Sequence, residues 1–229
     1  MSFSNDVRNE LARIIPEKVC CQKAELCAIL ILRSEVTRRD GEGLGLITEL
    51  ENARPARKVY RLLKEAYGLS STVRVEARKR FNKSRLYVVE TLLGQPESDE
   101  LLEDLGTTSK GIRRQVNWSQ IGRYCCKRAF LRGVFISRGF INRPEGDYHL
   151  EIVLNDSRLV NEVVKIMRKL DIEARIGERK NNLLIYIKES EKIVDFLRIV
   201  EASNALLEFE NVRIVKSMRN QVNRQVNCE

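Results

Sequence analysis

One apolar stretch occurs twice in the 229 residues, and that repetition limits the fold more than any other feature of the chain. The first copy runs from Cys20-Cys21-Gln22-Lys23-Ala24 through Leu26-Cys27-Ala28-Ile29-Leu30-Ile31-Leu32 to Arg33. The second runs from Cys125-Cys126-Lys127-Arg128-Ala129 through Leu131-Arg132-Gly133-Val134-Phe135-Ile136 to Arg138. At an offset of 105 residues the copies share Cys-Cys, Ala, Leu and the closing Arg. A helix that is apolar nearly all round lies inside a protein. Two such helices predict two similar halves packed helix to helix. Ala28 and Gly133 fall at matched positions, where small side chains let two helix backbones approach closely.

The segments after each copy follow one order. A helix over 5–15 opens the chain, with Val7, Leu11 and Ile14 on one stripe, Ser4 or Asn5 as cap and Pro16 beyond its end. After the first copy, a turn over Arg39–Gly43 leads to a strand in which Leu44, Leu46, Thr48 and Leu50 alternate. A helix over 53–67 closes on Gly68. Strands at 73–78 and 86–93 flank a turn at 79–84, and an acidic helix spans 98–105. Residues 106–120 form a connector. After the second copy come a turn (142–146), a strand (148–154), a helix (157–170), a strand (172–176), a turn (178–182), a strand (183–188) and a helix (190–200). Each half therefore carries two to four strands. The expected division is 1–106 for the first half, 107–202 for connector and second half, and 203–229 for a C-terminal segment. In that segment helical stretches at 204–209 and 212–226 lead towards a further domain or a partner.

Charge bears on partners. The net charge is +9 with a pI near 9.4. Residues 106–144 hold nine Lys or Arg, among them Lys110, Arg113, Arg114, Arg128 and Arg138, and no acid. So one-sided a stretch suits a polyanion, most simply nucleic acid, or else a solvated basic surface. The longest early apolar run, Leu26–Leu32, is far short of the roughly 20 residues of a membrane span. The acidic N-terminus does not read as a signal peptide. The chain reads as cytoplasmic and nucleoid-associated, with no membrane. Six cysteines include two vicinal pairs, but there is no C-x2-C spacing and His149 is the only histidine. These residues read as small reduced thiols rather than a zinc site, and no metal or cofactor is expected.

Paired apolar helices each followed by strand–helix–strand resemble the LAGLIDADG homing endonucleases, with the motif at Leu26–Ser34 and Leu131–Gly139. The implied fold is α+β, with two pseudo-symmetric halves and antiparallel sheets forming a saddle. Further matches narrow the resemblance: Ser2-Phe3-Ser4 with Glu10-Leu11-Ala12, both Cys-Cys-x-x-Ala helices, Arg132-Gly133-Val134-Phe135 with Gly139, and the ending Arg219-Asn220-x-x-Asn223-Arg224-x-x-Asn227-Cys228-Glu229. Together these are similar to the WhiA family of bacterial regulators, over the family's N-terminal, degenerate endonuclease-like part. The resemblance implies transcription control of sporulation, or of cell division and chromosome segregation. The family's helix-turn-helix domain is not in this sequence. The alternative is a protein-interaction module whose DNA specificity lives in that other domain.

In the endonucleases an acid near the end of each motif helix holds a divalent metal against the scissile phosphate. Both matching positions here are arginine, Arg33 and Arg138, which would repel Mg2+. Glu35 lies two residues past Arg33, but its counterpart is Phe140, so no symmetric acid pair exists. The resemblance thus implies no catalysis. Each arginine has two readings, a phosphate contact or an interface partner of a carboxylate in the other half; the acid-free surroundings of Arg138 point to phosphate. The strands would present Arg74 and Arg78, and Arg175 and Arg179, with Arg80 and Lys83 in the turn between the first pair of strands. Acids are interleaved among these, which implies weak binding of duplex DNA by this domain alone.

Overall fold

The computed structural model describes residues 2–39, 43–77, 85–93, 96–107, 111–180 and 182–226. Its elements divide into two runs of the same order. α1 (Phe3–Leu11) comes first. α2 (Val19–Arg33) passes directly into β1 (Ser34–Arg39), and β2 (Gly43–Leu50), α3 (Ala53–Tyr67), β3 (Ser71–Ala77), β4 (Arg85–Leu93) and α4 (Pro96–Asp104) follow. The second run is α5 (Tyr124–Arg138), β5 (Gly139–Ile141), β6 (Leu150–Leu154), α6 (Ser157–Arg168), β7 (Arg175–Arg179), β8 (Asn182–Ile187) and α7 (Ser190–Val200). α8 (Ser203–Val226) is last. Each run builds an antiparallel four-stranded sheet, β1-β2-β4-β3 and β5-β6-β8-β7. The repeated order is what a duplicated sequence requires. The α+β, LAGLIDADG-like fold expected from the repeat is present, at the upper bound of four strands per half.

Several boundaries move for local reasons. α1 begins at Phe3, because the Ser2 hydroxyl accepts from the Asn5 amide and caps it. Ser4, expected as a cap, is buried instead: its hydroxyl donates to Ile141 O at 2.6 Å and accepts from Ile141 N at 2.8 Å. α2 begins at Val19, so the first cysteine pair sits within its opening turn. β1 and β5 are additions to the expected strands; each follows its helix without a turn signal, and β5 has only 3 residues. β7 lies at 175–179 rather than 172–176, and Ile172 is a buried core residue ahead of it. The expected break before Val212 is absent, since α8 is one continuous helix. α3 and α7 fall where predicted. Gly68 ends α3 in the left-handed conformation (φ 69°), a region glycine enters without strain.

α2 and α5 pack against each other through the middle of the molecule. Ala24, Leu26, Ala28, Ile29 and Leu30 are fully buried, as are Leu131 and Phe135. A Cβ on Gly133 would lie 2.4 Å from Glu25 O and 2.9 Å from Ala28 Cβ, so only glycine permits this crossing. The sheets lie against this pair by one face each. Leu46, Thr48 and Leu50 of β2 face inward beside Val89 and Thr91 of β4, and Ser34 bonds Thr48 between hydroxyls at 2.8 Å. Ile152, Ile185 and Ile187 do the same in the second sheet. α1, although first in the chain, is tied to the second run. Besides the Ser4–Ile141 bonds, the Glu10 carboxylate accepts from Asn204 N (2.7 Å) and Ala205 N (3.1 Å) and so caps α8.

Candidate functional site

The C-terminal ends of α2 and α5 meet, and both sheets start there. A helix C-terminus has carbonyls without intrahelical partners and a partial negative charge. Here the two ends satisfy each other crosswise. Arg33 Nε donates to Ser137 O at 2.9 Å, with its terminal NH2 group donating to the same oxygen. Arg138 NH2 donates to Leu32 O at 3.2 Å. Leu32 and Ser137 are themselves 105 residues apart, so the two bonds are a pseudo-two-fold pair. Of the two readings of Arg33, the interface one fits, with a change of partner. The other half offers a backbone carbonyl rather than a carboxylate; the nearby carboxylate, Glu51 at 3.9 Å, belongs to the same half. Arg138 makes the same kind of contact.

Arg114 completes the floor. It is exposed, and its NH1 reaches Ile31 O at 3.4 Å. A cavity of about 260 Å³ opens above these groups, lined by Arg33, Arg114, Arg138, Glu35 and Glu49. Another of about 340 Å³ lies towards the second sheet, between Arg114, Arg138 and Asn155–Asp156. Burial, reinforced by Arg114 and opposed by Glu51, lowers the Arg138 pKa from the ordinary guanidinium value. The guanidinium remains charged at neutral pH. The floor therefore presents positive groups where a metal-dependent nuclease needs carboxylates.

The outward sheet faces differ in sign. In the first sheet the register places Glu35, Glu49, Glu76 and Glu90 on the outer face, with Arg74 as the one basic residue among the side chains described there. Arg74 lies 3.7 Å from Glu76 and 3.8 Å from Glu90. Interleaved acids were expected on this face; among the described side chains they outnumber the bases, because β2 and β4 bring carboxylates beside β3. In the second sheet Arg175 and Arg179 share the outer face with Tyr186 and Phe140. Its one acid among the described residues is Glu151, which accepts from Arg179 at 2.8 Å and lies 2.9 Å from His149. Lys188 sits over the Tyr186 ring, 5.5 Å from its centroid. Sequence reasoning missed Phe140, Tyr186 and Lys188: without β5 nothing assigned Phe140 to this face, and the expected strand at 183–188 was searched for neither aromatic nor basic side chains.

The other expected site residues divide three ways. Arg113 is exposed on the connector. Arg78, Arg80, Lys83 and Lys110 lie outside the described residues. Arg128, expected to meet nucleic acid, is directed elsewhere: it donates to Ile199 O at 2.9 Å and pairs with Glu201 at 2.9 Å. It lies ten residues before Arg138, about 15 Å back along α5 and away from the floor. Arg128 is the rim of a buried ionic chain. Glu201 also pairs with Arg132, Arg132 pairs with Glu25 at 2.9 Å, and Glu25 pairs with Lys58. Glu25 and Lys58 are fully buried, and Lys58 further donates to Leu11 O at 2.9 Å and Ile14 O at 2.6 Å. Beyond this chain, at the N-terminal ends of α2 and α5, the sulfurs of Cys20, Cys21, Cys125 and Cys126 all lie within 4.8 Å of one another.

Comparison with known proteins agrees with this architecture. The family description "WhiA N-terminal LAGLIDADG-like domain" matches residues 19–107, and "WhiA LAGLIDADG-like domain" matches 127–219. A protein of Syntrophomonas wolfei named "Probable cell division protein WhiA" is 58% identical over 233 residues, spanning all of this chain and 74% of that protein. A Heliobacterium modesticaldum protein of the same name is 42% identical, over all of this chain and 72% of that protein. Full-length DUF199/WhiA from Thermatoga maritima superposes with a TM-score of 0.69 at 20% identity, covering 99% of this chain and 75% of that one. The homing endonuclease I-DmoI in complex with DNA and Mn shares the fold, with a TM-score of 0.55 at 13% identity over 80% of this chain and 97% of its own. With both halves matched and the identity extending end to end, the chain belongs to the WhiA family.

Proposed function

We propose that this chain is a non-catalytic DNA-binding domain of a transcription regulator acting in cell division and chromosome segregation or in sporulation. The observation that carries the reading is the floor of the saddle. The endonuclease frame is kept, while Arg33 and Arg138 occupy the helix ends and hold the carbonyls of Ser137 and Leu32 on the opposite helix. Guanidinium groups there speak against a two-metal phosphodiester mechanism and favour a phosphate backbone. The outer face of the second sheet, with Arg175, Arg179 and Lys188 beside Phe140 and Tyr186, supports contact with nucleic acid from that side. The acids of the first sheet oppose it on the other. Duplex DNA is therefore bound weakly and through few phosphates, each contributing about −0.9 to the log–log salt slope.

Fluorescence anisotropy on duplex DNA over a range of salt tests this. Weak binding with a shallow slope, reduced further in Arg175→Glu/Arg179→Glu, is the expected result. A nanomolar, sequence-specific complex at physiological salt would contradict it. A plasmid-nicking assay with Mg2+ or Mn2+ is expected to leave supercoiled DNA intact; nicking that disappears in Glu35→Ala would overturn the non-catalytic reading. The second reading, a module for a protein partner, is favoured by the four carboxylates of the first sheet. On that reading the Arg175→Glu/Arg179→Glu variant leaves DNA affinity unchanged.

A further inference from the structure

The end of the paired helices opposite the arginines holds four thiols and nothing in the functional reading uses them. α2 brings Cys20 and Cys21, α5 brings Cys125 and Cys126, and both pairs sit in the opening turn of their helix. The four Sγ atoms lie within 4.8 Å of one another. Cys21 and Cys126 are buried, while Cys20 and Cys125 are partly exposed, which leaves a path for an ion to enter. In a tetrahedral tetrathiolate zinc centre the Zn–S bonds are about 2.3 Å, which sets the sulfurs about 3.8 Å apart. A two-iron cluster spreads its thiolates over two metal atoms and needs a wider span. The observed grouping suits one ion.

A second observation concerns charge. A helix N-terminus carries partial positive charge and ordinarily takes an acid or a capping side chain. Neither α2 nor α5 has an acid in its first turn, and neither has a side-chain cap. The cap positions are Lys18 and Arg123, which add positive charge to two helix ends that already meet. A tetrathiolate centre of formal charge −2 adds negative charge at that point, where Glu17 is the acid that lines the same cavity as Lys18, Cys21 and Cys125.

We propose that Cys20, Cys21, Cys125 and Cys126 bind a single tetrahedral divalent ion, zinc, which staples the N-terminal ends of α2 and α5 across the pseudo-two-fold. Four thiols release four protons to solvent as the four Zn–S bonds form, with no change of oxidation state. The spacing rule for zinc, two C-x2-C pairs, does not reveal the site, because each pair is vicinal and its partner lies 105 residues away. The reading of these cysteines as plain reduced thiols gives way to a ligand set.

The test is metal content of the chain purified under reducing conditions, by plasma mass spectrometry, with cobalt substitution read by absorption. About one zinc per chain is expected, and Co2+ is expected to give the thiolate charge-transfer and visible bands of a tetrahedral sulfur site. Cys20→Ser/Cys125→Ser changes the two more exposed ligands and loses both signals. Cys27→Ser, whose thiol contacts Tyr67 at 3.7 Å away from the cluster, retains them. Should Cys20→Ser/Cys125→Ser fail to fold, the unsubstituted chain decides alone, since chelation is then expected to lower its Tm and zinc to restore it. The proposal is overturned if the reduced chain takes up neither zinc nor cobalt, if the cobalt spectrum lacks thiolate bands, or if Cys27→Ser loses the metal equally.

Discussion

Gly133 is the residue whose replacement has the clearest structural cost. A β-carbon there meets a backbone oxygen at 2.4 Å, and backbone cannot swing aside as a side-chain tip can. Gly133→Ala is expected to destabilise by roughly 1–3 kcal/mol, the range for overpacked cores. Calorimetry would register this as a Tm lower by several degrees. The matched small residues were legible in the sequence, because the 105-residue offset placed Ala28 opposite Gly133. The buried ions were not. Lys58 looks like one of many surface lysines in an amphipathic helix, and only the tertiary approach of Glu25, Leu11 and Ile14 explains its burial. That burial lowers the Lys58 pKa to about 8, against the opposing pull of Glu25. The ordinary lysine value is 10.5, so between these limits the unfolded chain binds more protons than the folded one. This group's contribution to stability therefore rises with pH across that window. The stability of the unsubstituted chain relative to Lys58→Met, measured by denaturation from pH 7 to 10, is expected to increase towards the alkaline end.

Among the elements, the paired helices are held differently at their two ends. At the C-terminal end each arginine serves the other helix. Arg138→Ala leaves Leu32 O without this donor, and Arg33→Ala does the same to Ser137 O. Each is expected to cost about 1–3 kcal/mol, the penalty for a buried polar group left unmatched. The double variant should depart from additivity, since the two bonds share one helix junction. Urea denaturation of the three variants measures both quantities. Helix type and length were readable from the apolar pattern, which is why α3 and α7 fall where expected. β1 and β5 were not, because a helix that passes straight into a strand carries no turn residue to mark the change. That omission also hid the sign of the first sheet's outer face, since Glu35 sits on β1 and Glu49 becomes its neighbour only through the register of β2.

At the scale of the whole molecule, the outer faces of the two sheets carry opposite charge among the described residues. If the acids of the first sheet limit contact with DNA, removing them has a definite effect. Glu35→Gln/Glu49→Gln is expected to tighten binding of duplex DNA several-fold at low salt, with the gain shrinking as salt rises. Anisotropy titrations at two ionic strengths would check this, and unchanged affinity would place the DNA path away from the first sheet. Among the described residues no helix is long and apolar enough to cross a membrane. The duplication and the loss of both motif acids were visible in the sequence. Which sheet presents a basic outer face was not, because charge along a chain says little about which side chains a sheet register brings together.

The pairing of α2 with α5 has a consequence for how the chain reaches its fold. Their contacts join residues about a hundred positions apart, so the central helix pair is completed late. At synthesis rates of about 5–20 residues per second, α2 waits roughly 5–20 s on the ribosome before its partner emerges. During that interval Ala28 lacks Gly133 beside it and Glu25 lacks its partner Arg132. The first half is thus expected to depend on the second for its native state, and two first halves released together would present each other with the same unfilled seam. In that sense the duplication stores a dimer inside one chain, and fixes its stoichiometry by covalent linkage.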